Sequence, residues 1–85
     1  MLLIDIREAE ELADLPTIPG AIHIPMGKVF IETGQGNIPK NKPIVVFCRT
    51  GRRAGIIQQE LQASGYTIDN LEGGLIAYVS TDRKI

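Results

Sequence analysis

The chain holds one cysteine, Cys48, and the five residues after it are Arg49, Thr50, Gly51, Arg52 and Arg53. A thiol beside three guanidinium groups is placed for nucleophilic chemistry. A free cysteine has a pKa of about 8.5, and positive surroundings commonly lower it by one or more units. Gly51 lets the chain turn in a way that a residue with a Cβ resists. Successive amides from Arg49 to Arg53 can then face inward as an anion-binding nest. A helix starting there adds its positive end. A thiolate formed under those influences needs no general base. The opposing reading is that a lone cysteine closing an apolar strand is a small buried hydrophobe. The glycine turn, the three arginines and the helix start favour the nucleophile, because a structural cysteine gains nothing from them.

Positioning such a group requires a strand that ends at Cys48 and a helix that begins just after it. "PIVVFC" supplies the strand. It is apolar throughout, as a central strand covered on both faces would be. A helix from about Arg53 to Ser64 follows, with Ala54, Ile57 and Leu61 on one face and Gly65 as its stop. Before this unit, "LLIDI" reads as a buried strand and "REAEELADL" as a helix with acidic residues in its first turn. "AIHI" reads as a second short strand and "MGKVFIE" as a short helix. "TGQGNIPKNKP" is a loop, and it lacks the Gly-Lys-Ser/Thr of a phosphate loop. "YTIDNL" is a fourth strand, "EGG" a turn, and "LIAYV" the start of a final short helix or extended tail. Alternating strands and helices predict an α/β domain with a mostly parallel sheet flanked by helices on both faces. In such sheets, ligands bind at the carboxyl ends of the strands, which is where Cys48 falls.

The 85 residues make a single domain, 1–85, and the net charge of −1 disfavours nucleic-acid and membrane-surface partners. The charge is uneven: Glu8, Glu10, Glu11 and Asp14 crowd the N-terminal part, while three arginines surround the loop. One cysteine excludes an internal disulfide, which suits a reducing compartment. No apolar run approaches the roughly 20 residues of a membrane span, and "MLLIDIREAE" is no signal peptide. The expected location is the cytoplasm, or the periplasm if a presequence is removed.

Four segments, in order, resemble the rhodanese family of single-domain sulfurtransferases. They are "LIDIREAEEL" with its Asp-x-Arg, "IPGAIHIP", the loop "CRTGRRA" and the closing "LEGGLIAY". The compact outline is similar to the phage-shock-type members. The resemblance implies a thiosulfate sulfurtransferase with Cys48 as the catalytic residue. Cys48 takes the outer sulfur of a donor such as thiosulfate as a persulfide, then passes it to a thiol or cyanide-like acceptor. It makes Arg49, Thr50, Gly51, Arg52 and Arg53 the substrate-binding set. Loop amides cradle the outer sulfur, Arg49 and Arg52 contact the anionic donor, and Arg53, matching the family's loop arginine, braces the loop. It implies no metal and no cofactor. Asp5 and Arg7 are expected to form an ion pair fixing the strand end near the loop. His23 is expected to be structural, and Gly73 and Gly74 to let the backbone approach the site closely. Where the family often has Gly-His, this chain has Pro16-Thr17, and Tyr78 stands where a tryptophan is usual.

Two alternatives remain at this point. Cysteine phosphatases and arsenate reductases of the same fold place an arginine six positions after the cysteine; here Arg53 is five after Cys48. That shorter ring suits one sulfur atom better than a tetrahedral phosphate. The other alternative is a binding module, or a carrier that exchanges persulfide with protein partners.

Overall fold

The computed structural model describes residues 1–83. Four parallel strands form one sheet in the order β2-β1-β3-β4. The elements alternate: β1 (Leu2–Asp5), α1 (Glu11–Asp14), β2 (Ile22–His23), α2 (Met26–Gly34), β3 (Ile44–Phe47), α3 (Arg52–Ala63), β4 (Ile68–Asn70) and α4 (Gly74–Arg83). β3 is an interior strand, pairing with β1 from Leu2↔Ile44 to Asp5↔Phe47 and with β4 from Ile44↔Ile68 to Val46↔Asn70. Its continuous apolarity therefore has the expected cause, since both faces are covered.

Side chains alternate across the sheet with the period of a strand. Ile4, Ile44, Val46 and Ile68 join Val29 of α2 and Ala54, Ile57 and Leu61 of α3 in one buried cluster. On the opposite face, Leu3 and Phe47 pack with Ile18, Leu71 and, from α4, Leu75 and Val79. Helices thus cover both faces, and the two layers meet at the strand carboxyl ends where Cys48 lies.

Several expected elements are shorter than their sequence patterns; of "YTIDNL" only Ile68–Asn70 is strand. The helix over "REAEELADL" is reduced to the four residues of α1. The amides of Glu11 and Leu12 bond back three residues, to Glu8 and Ala9, so the chain turns tightly before the helix begins. Arg7 is diverted into the protein by Asp5, which removes the first turn from the helix. The strand in "AIHI" is likewise only Ile22–His23, paired to Ile4 and Asp5. In contrast, "MGKVFIE" extends to a nine-residue helix, and "LIAYV" lies in a regular helix, α4.

Candidate active site

Strand β3 ends at Phe47, whose carbonyl accepts the Ile6 amide at 3.0 Å. Cys48 follows and is 1% exposed, as the hydrophobe reading expected. Its Sγ nevertheless faces the turn, accepting the Gly51 amide at 3.1 Å. Cys48 therefore belongs to the buried cluster with Val46, Ala54 and Ile57, while its sulfur forms the floor of the loop. Gly51 has φ +97°, the left-handed conformation that turns the chain into α3 at Arg52. Among the described residues, the amides of Arg49, Thr50, Arg52 and Arg53 donate to no acceptor within the chain. The first amides of a helix have no intrahelical partner, which accounts for Arg52 and Arg53 at the start of α3.

The loop is held from behind by the start of α4. The Leu75 amide donates to the Cys48 carbonyl at 2.9 Å, and the Ile76 amide to the Arg49 carbonyl at 3.0 Å. This approach depends on Gly74. A Cβ there would lie 2.5 Å from the Arg49 carbonyl oxygen and 2.7 Å from the Gly51 nitrogen, and the backbone has φ +66°. Of the Gly-Gly pair, Gly74 thus makes the close approach, backbone on backbone, whereas a Cβ on Gly73 would meet the Ala77 side chain.

The three arginines divide into two kinds. Arg49 and Arg52, like Thr50, are exposed, and neither arginine has an ion-pair partner among the described residues. Arg53 is forked onto Glu11, with its two terminal nitrogens each 2.8 Å from a carboxylate oxygen. The hydrogen bonds from Arg53, working against burial, hold the Glu11 carboxyl at about 2. In return, the Glu11 carboxylate holds the Arg53 guanidinium above its ordinary value, against burial, and the adjacent Cys48 adds to this. Glu11 was visible in the sequence only as one acid in a crowd; its place four residues after Arg7 was the available signal.

Asp5 and Arg7 form the buried corner that the sequence led us to expect. Arg7 donates from Nε to both Asp5 oxygens at 3.1 Å and from Nη2 at 2.9 Å, while the Thr17 hydroxyl donates at 2.7 Å. Burial by itself would raise the Asp5 carboxyl; the hydrogen bonds from Arg7 and Thr17 outweigh it and hold Asp5 below its usual value. Arg7 Nη1 continues to the Glu11 carbonyl at 3.1 Å. His23 Nε2 donates to the Arg7 carbonyl at 2.6 Å, which gives this histidine a structural partner.

Two clefts of the surface lie away from Cys48. One, of about 640 Å³, runs beside β2 along Leu2, Ile22 and Ile24; the other lies between the C-terminal parts of α2 and α3. Among the described residues, no cluster of His, Cys, Asp or Glu is arranged to hold a metal, and no helix is long and apolar enough to cross a membrane.

Comparison with known proteins agrees with this architecture. The chain is 38% identical over 79 residues to a sulfurtransferase of Allochromatium vinosum, covering 92% of this chain and 71% of that protein. It is 33% identical over 72 residues to the thiosulfate sulfurtransferase PspE of Escherichia coli, covering 85% and 68%. A much longer tRNA sulfurtransferase of Desulfurococcus amylolyticus is 35% identical over 77 residues, but the chain spans only 14% of it. The crystal structure of a rhodanese-related protein from Thermoplasma volcanium superposes with a TM-score of 0.83 at 25% identity, covering 94% of this chain and 77% of that one. The rhodanese-like domain matches residues 1–81, so the chain belongs to the rhodanese-like domain family, whose members here include sulfurtransferases.

Proposed function

We propose that the protein transfers a sulfane sulfur through a persulfide on Cys48, with thiosulfate or a related small anion as donor. The carrying observation is that Sγ of the chain's one cysteine meets the Gly51 amide within a turn of otherwise unengaged amides. In the first step, the Cys48 thiolate attacks the outer sulfur of thiosulfate. The donor's S–S bond breaks, and sulfite leaves with the bonding pair. The Gly51 amide and the neighbouring free amides stabilise negative charge on the bound sulfur, as preorganised donors do where charge develops. Arg49 and Arg52 draw the anionic donor to the loop, while Thr50 and Gly51 line its approach. In the second step, an acceptor thiolate attacks the outer sulfur, becomes a persulfide and releases the Cys48 thiolate. The scheme is a double displacement, so ping-pong kinetics are expected.

The spacing of Arg53, five residues after Cys48, supports a ring sized for sulfur. PspE, a thiosulfate sulfurtransferase by name, gives thiosulfate its place as first donor to test. After thiosulfate treatment, mass spectrometry of the intact protein should show the gain of one sulfur atom, removed by a thiol and absent in Cys48→Ser. No gain in folded wild-type protein, or sulfur transfer persisting in Cys48→Ser, would defeat the proposal.

A further inference from the structure

Glu11 lies outside the loop, yet its geometry joins it to Cys48. We infer that Glu11 is a positioning residue whose carboxylate fixes Arg53 as the charged wall of the Cys48 loop. This rests on the reading of Cys48 as the reacting group and adds to it the origin of the loop's order.

An unheld arginine spreads over many rotamers, and ordering it costs side-chain entropy. A bidentate carboxylate removes that freedom, because the planar fork accepts only one relative orientation. Here both contacts are 2.8 Å. Glu11 is itself anchored. The Glu8 amide donates to its Oε2 at 2.8 Å, and Arg7 Nη1 donates to its carbonyl at 3.1 Å. Arg7 in turn is locked onto Asp5. The sequence Asp5–Arg7–Glu11–Arg53 therefore ties the end of β1 to the start of α3. It also sorts the loop charges. Glu11 holds the Arg53 guanidinium in one orientation, while Arg49 and Arg52 have no ion-pair partner among the described residues. The charged side chains of the loop are these three arginines, with Glu11 on Arg53; the first turn of α4 brings backbone amides to the Cys48 and Arg49 carbonyls.

The test is the pH profile of Cys48 alkylation by iodoacetamide, which requires no sulfur donor. In Glu11→Gln the amide cannot accept both arginine nitrogens, so Arg53 swings away from the sulfur. Alkylation at neutral pH should slow by about tenfold, and its pH profile should depart from that of the wild type. Arg53→Lys keeps the charge but loses the fork, and should match it. The double variant should then lose no more than either single variant, because the two residues act as one unit. A wild-type profile in folded Glu11→Gln or in Arg53→Lys would overturn the inference, as would losses that multiply in the double variant. Should Glu11→Gln fail to fold, Arg53→Lys decides alone. If the wild type takes up no sulfur from thiosulfate but these alkylation effects appear, the proposed reaction fails and the positioning role stands.

Discussion

Among the described residues, two arginine–carboxylate pairs of nearly equal length lie in opposite surroundings. Arg7–Asp5 is 2.9 Å long, with its side chains 1% and 0% exposed. Arg53–Glu11 is 2.8 Å long, with its side chains 34% and 26% exposed. Water can replace much of what the outer pair supplies and almost none of what the inner pair supplies. The inner pair is consequently a fixed part of the framework, since removing either partner strands a charge in the protein. The outer pair contributes little to stability and is suited to orienting a side chain at a reactive site. Glu11 belongs to both regions: its backbone carbonyl accepts from Arg7, and its carboxylate accepts from Arg53.

The comparison breaks most readily at its inner member. Asp5→Ala should cost roughly 3–5 kcal/mol in urea unfolding, the usual penalty for half of a buried pair. A loss below about 1 kcal/mol would mean that Arg7 reaches water and that the two corners do not differ in kind. Gly74→Ala comes next, at roughly 2–4 kcal/mol, because it drives a methyl group into the Arg49 carbonyl and strains the backbone. It should also alter Cys48 alkylation, separating support of the loop from behind from support by Arg53.

The outer pair gives smaller effects. Glu11→Gln should cost about 1 kcal/mol near neutral pH, a figure that allows for solvent screening. Its pH dependence has a definite sign. The folded value of about 2 lies below the usual 4.5, so the stabilisation is complete above about pH 4.5 and is lost as pH falls toward 2. The stability gap between wild type and Glu11→Gln should therefore close across that window in acid titrations followed by circular dichroism. A gap that stayed constant would show that the carboxylate charge contributes nothing. Arg52→Ala should change stability by less than about 0.5 kcal/mol, since Arg52 is exposed and has no partner among the described residues. Its effect should fall on the donor: about tenfold in apparent KM for thiosulfate, the worth of one charged hydrogen bond. Arg7 replacement, in protein that remains folded, should affect donor use less.

Much of the fold was legible because it depends on local pattern. Alternating strand and helix signals required a parallel sheet, and the apolar "PIVVFC" required an interior strand. The placement of Cys48 before Gly51 and the α3 start required the sulfur to sit at a strand's carboxyl end. The overestimates have a physical cause. "REAEELADL" carries helical periodicity, but Arg7 gains more from the buried Asp5 carboxylate than from a helical turn, and only Glu11–Asp14 remain helical.

What the sequence determined by itself is the order of elements and the position of the candidate loop at the end of β3, since both arise from residues near one another along the chain. Tertiary structure alone decided that Arg53 is claimed by Glu11, 42 residues away. It alone showed that the Gly74 backbone presses on the loop, and that Cys48 is buried while its sulfur still faces the turn. Contacts of that kind leave no periodicity to read: they are set when the packed sheet brings β1, α1 and α4 around the end of β3, and only then does one acid out of four acquire a partner.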